Sequence, residues 1–169
     1  MLTKLKNGVI VVTQLDQSLQ ERALTRIEQL IKEEANANNM LPLARSEIQL
    51  AFDKNRAVTA FSGKKPIGYV YLHLWQHYIE ISGIVVHPNF RQQGLGLILI
   101  KTALSLAKRS FDLPIIILPN KVSGKIAKQL GFTHKDKTFF HPEIWSTCPT
   151  CKDYQNFPNC RCSCMVYET

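Results

Sequence analysis

The chain has 169 residues, 45% of them hydrophobic and 20% charged, with a formal net charge of +8. That length suits one domain able to bury about 70% of its unfolded surface, and the composition excludes an intrinsically disordered chain. The longest apolar runs, 9–12, 97–100 and 113–118, fall far short of the ~18 residues of a membrane span. No apolar signal core follows Lys4 and Lys6, so a cytoplasmic protein with no membrane partner is expected.

The charge is uneven. Residues 91–137 hold nine basic and two acidic side chains, a net +7, against +2 over 1–90 and −1 over 138–169. A nucleic-acid face and a pocket for a small polyanion both fit such an excess. Phe111 and Phe132 are the only aromatics in the segment, which lacks the aromatic interleaving of a single-strand binder. No nucleic-acid partner is expected.

In chain order, the β-branched run Val9 to Val12 predicts a short strand. Leu15, Leu19, Ala23, Ile27, Leu30 and Ile31 recur at helical spacing from Asp16, and Asn36 to Asn39 ends that helix. Leu41-Pro42 breaks the chain before a second short helix, Ser46 to Phe52. Arg56 to Phe61 and Ile67 to Trp75 read as strands joined by a hairpin loop, Ser62 to Pro66, and Tyr78 to Val86 as a third strand. Gly94 to Lys108 is an apolar helix, Ile115 to Leu118 a buried strand, Ser123 to Leu130 another helix, and Cys164 to Tyr167 a β-prone end. The order β-α-α-β-β-β-α-β-α predicts an α/β (α+β) protein with a mixed sheet over residues 1–169.

The segment Val85-Val86-His87-Pro88-Asn89-Phe90-Arg91-Gln92-Gln93-Gly94-Leu95-Gly96 leaves a strand and opens a helix. Its glycines let backbone N–H groups approach a ligand, and the helix N-terminus adds a positive field. Arg91, Gln92 and Gln93 add charge and donors at the same place. A pyrophosphate suits this loop, although a plain strand-to-helix turn uses glycine too. The dinucleotide-binding fingerprint is absent, because Leu99 stands where its third glycine belongs. So is the Gly-Lys-Ser/Thr of a P-loop.

The loop satisfies the R/Q-x-x-G-x-G/A signature of the GNAT superfamily of N-acetyltransferases, and the element order resembles that family's. Asn120, followed by Leu130-Gly131-Phe132, resembles its second cofactor-side helix and closing turn. The resemblance implies a mostly antiparallel sheet flanked by helices and acetyl-CoA as cofactor. It places the pyrophosphate on the Gln92, Gln93, Gly94, Leu95, Gly96 and Leu97 amides beside Arg91, with Asn120 nearby. Pantetheine would pair along Ile84, Val85 and Val86, and a backbone N–H near Val85 or Val86 would polarise the thioester carbonyl. Glu80, four residues before Ile84, takes the place of the family's catalytic base; a cross-strand or substrate-binding role is its alternative. Where many relatives carry an acid Tyr, this chain has Ala127, leaving Tyr78, His73, His77, His134 or water to protonate the thiolate.

Two segments resemble a narrower branch, the short N-acetylglutamate synthase-like enzymes: Asn39 to Glu47, with its Leu-Pro-Leu-Ala-Arg-Ser, and His141 to Cys151, with Trp-x-x-Cys-x-x-Cys. The resemblance implies a small amine acceptor, an amino acid first, with Arg45 pairing a substrate carboxylate. Ser82 stands on the acceptor strand where the branch carries Arg, so glutamate itself is in question. A homodimer is left open.

All five cysteines fall in the tail, 145–169, as C-x2-C-x8-C-x-C-x-C. Cys148, Cys151, Cys160 and Cys162 are candidate ligands for structural zinc; packing thiols or a disulfide are the alternatives. A non-catalytic acetyl-CoA-binding module, acting through this tail, and an acetyltransferase for protein or polyamine amines compete with the amino-acid reading.

Overall fold

The computed structural model describes residues 2–5, 8–151, 154–160 and 162–168. The elements are β1 (Leu2–Lys4), β2 (Val9–Val12), α1 (Gln17–Asn36), α2 (Arg45–Asp53), β3 (Ala57–Ser62), β4 (Lys65–Leu74), β5 (Ile79–Val86), α3 (Leu95–Ser110), β6 (Ile115–Ile117), α4 (Lys121–Gln129), β7 (Phe132–Lys135) and β8 (Cys164–Tyr167). They form one eight-stranded sheet in the order β1-β2-β3-β4-β5-β6-β8-β7. Every strand pair is antiparallel except β5–β6. No helix among the described residues is long and apolar enough to cross a membrane.

The expected elements are present, with two additions. β1 has too few residues to display a period, and β7 buries only Phe132, so neither carries an alternating pattern. The hairpin loop between β3 and β4 shrinks to Gly63-Lys64, because Pro66 already pairs with Phe61. The β-prone end is no appendage: β8 lies inside the sheet, between β6 and β7.

Helix α1 starts where Asp16 accepts the Leu19 amide at 2.9 Å, relieving one orphan donor. It buries Ala23, Leu24, Ile27, Leu30 and Ile31 against one sheet face, together with Ile48 and Phe52 of α2. The opposite face carries α3 through Leu95, Leu99, Ile100, Ala103 and Leu104. A smaller cluster of Ile116, Phe140, Ile144, Cys164 and Val166 lies under the tail, flanked by Trp75, Tyr78 and Trp145.

Two features of β5 shape the site. It pairs with β6 only through Ile79↔Ile115 and Glu80↔Ile116, so from Ser82 onward its edge on that side has no strand. On its other side Tyr69↔Val85 is followed by Tyr71↔Ser82, so β5 carries one residue more than β4, a β-bulge. Gly83 occupies the bulge at φ 63°. A Cβ there would meet the Tyr71 ring at 2.7 and 2.9 Å.

Gly83→Ala should therefore cost about 2–5 kcal/mol, from left-handed backbone strain plus overpacking. Gly63→Ala shares the positive φ, 58°, but its Cβ meets nothing within 4 Å, so it should lose only the backbone part, about 1–2 kcal/mol. Equal losses in denaturant melts of the two variants would refute a packing role for Gly83.

Candidate active site

The loop from β5 to α3 is braced from beneath. Arg91 Nε donates to the Val86 carbonyl at 2.9 Å, and its guanidinium pairs with Glu34 of α1 at 2.5 Å. Gln93 Nε2 holds the Asn89 carbonyl at 3.0 Å. Gln92 at φ 59° and Gly94 at φ 78° are both left-handed. Ile98 N is the first to bond back, to Gly94 O at 3.2 Å; among the described residues the six amides before it have no acceptor. A row of unpaired N–H groups at a helix N-terminus is an anion cradle. A Cβ on Gly94 would point into open space, leaving room for a guest. Of the expected cofactor residues, Gln92, Gly94, Leu95, Gly96 and Leu97 thus present backbone donors, while the Arg91 and Gln93 side chains hold the loop's shape.

Glu80 sits where β5 and β6 part. It is 7% exposed. Its carboxylate accepts the Trp75 Nε1–H at 2.9 Å and the Ser82 hydroxyl. Burial pushes its pKa above the ordinary carboxylate value, and the two hydrogen bonds pull the other way. Across the strand, Glu80 faces His73 and Ser82 faces Tyr71. Ser82 also hydrogen-bonds Tyr71, whose phenol is held protonated chiefly by burial and then by the Glu80 charge. Tyr71 Oη lies 3.4 Å from His73 Nδ1. Glu80, Ser82, Tyr71 and His73 therefore form one polar chain on the α1–α2 face.

Tyr71 and Trp75 are absent from the sequence-derived site, although a signal for them existed. Tyr69, Tyr71 and His73 alternate along β4, Trp75 follows just past its end, and their rings touch in succession, stacked, edge-to-face and tilted, with centroids 6.0, 6.1 and 4.3 Å apart. Period-two aromatics opposite a strand carrying Glu and Ser mark one wall of a site. Beside Tyr71 and His73 a cavity of about 130 Å³ opens toward α2, lined also by Glu47 and Arg56. Both charges act on Tyr71 and His73.

Other expected residues have different employment. Arg45 is half-exposed and paired with Glu28 of α1 at 2.5 Å; it does not line the cavity. Asn120 caps α4: its Oδ1 accepts Val122 N and Ser123 N at 3.0 Å, and its Nδ2 donates to Asn39 O at 3.2 Å. Ala127 is buried in α4. Of the residues considered as proton donors in its stead, Tyr78 accepts the His141 amide, His77 is bound to Glu143 and His134 is exposed on β7. His73 alone belongs to the Glu80 chain.

The zinc expectation finds no support. Among the described residues no three sulfurs of Cys148, Cys151, Cys160 and Cys162 approach within 4.8 Å of one another. The Lys137 ammonium donates to Cys160 Sγ at 2.9 Å and to Cys160 O at 2.9 Å, a cation where a metal would need to enter. Burial, reinforced by the neighbouring sulfurs, pushes the Cys162 thiol up to about 11 and Cys148 in the same direction. Cys164, the last of the alternating cysteines, belongs to β8 and is buried.

The sequence matches the model of the acetyltransferase (GNAT) family over residues 21–132. No curated protein matches the chain. Among solved structures it is similar to N-acetylglutamate synthase from Neisseria gonorrhoeae complexed with coenzyme A and N-acetyl-glutamate, at TM-score 0.68 and 17% identity over 94% of this chain. The chain spans 34% of that protein's length. It is similar also to Rv2747 from Mycobacterium tuberculosis in complex with CoA, at TM-score 0.70 and 20% identity, covering 94% of this chain and 98% of the other. A phosphinothricin acetyltransferase from Sinorhizobium meliloti in complex with AcCoA gives TM-score 0.62 and 18% identity over 75% and 76% of the two chains. With the family model spanning well over half of its length, the chain belongs to the acetyltransferase (GNAT) family, the N-acetyltransferases.

Proposed function

We propose that the protein transfers an acetyl group from acetyl-CoA to the amine of a small amino-acid-like acceptor, with Glu80 as general base. The observation that carries this reading is a buried carboxylate at the point where β5 leaves β6, on the strand that leads to the amide cradle and opposite His73 of the α2-side cavity. Acetyl-CoA, when bound, supplies the activated acetyl group. The Gln92 to Leu97 amides hold its pyrophosphate, and Arg91 keeps that loop in shape. The strandless edge of β5 at Ile84 to Val86 pairs with pantetheine, and an N–H near Val85 or Val86 polarises the thioester carbonyl. A protonated amine has no lone pair to attack with, so Glu80 takes its proton, directly or through Ser82 and water. Attack then forms the C–N bond and breaks the C–S bond. With Ala127 in α4, the departing thiolate takes its proton from water or from the His73–Tyr71 end of the chain.

An amino acid is favoured over a polyamine because the cavity carries one charge of each sign, Glu47 and Arg56. Arg56 suits a carboxylate, a group that amino acids carry and polyamines lack. Arg56 thus takes the role first expected of Arg45. In an acetylation screen of amino acids, polyamines and peptides, free amino acids should turn over fastest, and Arg56→Met should raise their KM more than it lowers kcat. Faster turnover of polyamines or peptides would replace this acceptor class. Tight acetyl-CoA binding without turnover on any amine would favour a non-catalytic binding module.

Gly94→Glu should weaken acetyl-CoA binding at least ~100-fold, the effect of a like charge a few ångströms from a diphosphate. Calorimetry that finds unchanged affinity in the folded variant would remove the cradle assignment.

Glu80→Gln should lower turnover by about 10²–10⁴-fold with acetyl-CoA affinity intact. The base acts when deprotonated, and burial raises its pKa, so activity should fall with acidification at a higher pH than for an ordinary carboxylate. Trp75→Phe removes a donor that favours the charged form and should move that acid limb to still higher pH. An unmoved limb would exclude Glu80 as the titrating base.

A further inference from the structure

One cluster of metal-ligating side chains lies outside this site. His77 in the β4–β5 turn and His141 and Glu143 beyond β7 bring three ligand atoms within 4.8 Å of one another, the one such group among the described residues. His77 Nδ1 is 2.8 Å and His141 Nδ1 3.9 Å from Glu143 Oε1. The two imidazoles stack at 4.2 Å, tilted by 34°.

We propose that His77, His141 and Glu143 form a binding site for one divalent transition-metal ion of the zinc class. Two imidazoles and one carboxylate are a recurrent ligand set for such ions. Ligands at about 2.0–2.1 Å around a tetrahedral ion stand about 3.3 Å apart, and the observed separations bracket that value. The site is held open from behind. Both Glu143 oxygens are fixed by backbone donors, Oε2 by Gln76 N and Oε1 by His77 N, each at 2.9 Å. The His141 amide donates to Tyr78 Oη at 3.1 Å. Such outer partners orient ligands before the ion arrives. His141 Nδ1 lies 3.4 Å from the Glu143 amide nitrogen, which keeps the ring beside that residue's carboxylate. On binding, the ion takes the place of the hydrogen between His77 Nδ1 and Glu143 Oε1, with the ring of His77 carrying its proton on Nε2. All three ligands are partly exposed, so water completes the coordination and entry needs no opening of the core.

The ion joins the turn that carries Trp75 to the segment leading into the tail. Trp75 N donates to Tyr78 O at 2.9 Å within that turn, and its indole holds Glu80. The tail cysteines are a separate, thiolate-rich candidate, and the experiment must tell the two apart.

The test is a Co²⁺ and Zn²⁺ titration of the reduced full chain without an affinity tag, alongside His141→Ala and a Cys148→Ser, Cys151→Ser, Cys160→Ser, Cys162→Ser variant. The cysteine variant should still bind about one ion per chain, with weak visible cobalt bands and no near-ultraviolet thiolate-to-cobalt absorption. His141→Ala in that background should weaken binding at least ~100-fold. Binding lost with the cysteines, binding untouched by His141→Ala, or no binding at all would each overturn the proposal. Should His141→Ala fail to fold, the cobalt spectrum of the cysteine variant decides alone, since nitrogen and oxygen ligation there has no other described source.

Discussion

The chemistry depends on a sheet that stops pairing partway along one strand. β5 pairs with β6 only as far as Glu80, and past the bulge at Gly83 the remainder of β5 pairs with β4 alone among the described residues. An unpaired strand edge is normally a liability, because its N–H and C=O groups seek partners. In the proposed reaction the same unmet demand would serve an extended ligand, with the row of amides from Gln92 to Leu97 following a few residues on. Closing the sheet would satisfy the backbone and abolish the cleft.

That geometry also sets the acidity of Glu80. A carboxylate flanked by paired strands is cut off from water, which favours its protonated form. The Trp75 and Ser82 donors offset part of this effect. For the proposed base role this balance matters, because a base near the balance point is more effective than one fully stabilised as an anion. Tyr71, packed on Gly83, links the two halves of the arrangement, since the ring that requires glycine in the bulge bears the hydroxyl that meets Ser82.

Much of this was legible from residue order. Glycines following a strand and opening a helix announce a loop whose amides face outward, and Glu80 lies on the predicted strand leading to it. Local signals of that kind involve neighbours in sequence. What escaped involved partners far apart. Arg45 reads as an available cation, and α1 brings Glu28 alongside it; Asn120 reads as a cofactor contact, and its oxygen caps α4. Arg56 stands at a strand start with nothing local to mark it, and faces the cavity only because α2 packs across β4. The cysteine spacing resembled a metal knuckle, but no spacing rule anticipates Lys137 against Cys160.

The place of β8 between β6 and β7 bears on the order in which the molecule assembles. β3, β4 and β5 pair through the short connections 63–64 and 75–78, from contacts close in sequence. β7 has no sheet partner except β8, and residues 136–163 lie between them. Bringing such distant segments together carries a loop-closure entropy that local contacts cannot repay, which makes this edge slow to form. On a ribosome, β6 emerges with its outer edge bare and stays so until the β8 sequence has been synthesised. The central β3–β5 strands are therefore built early, and the tail side depends on the last strand to arrive.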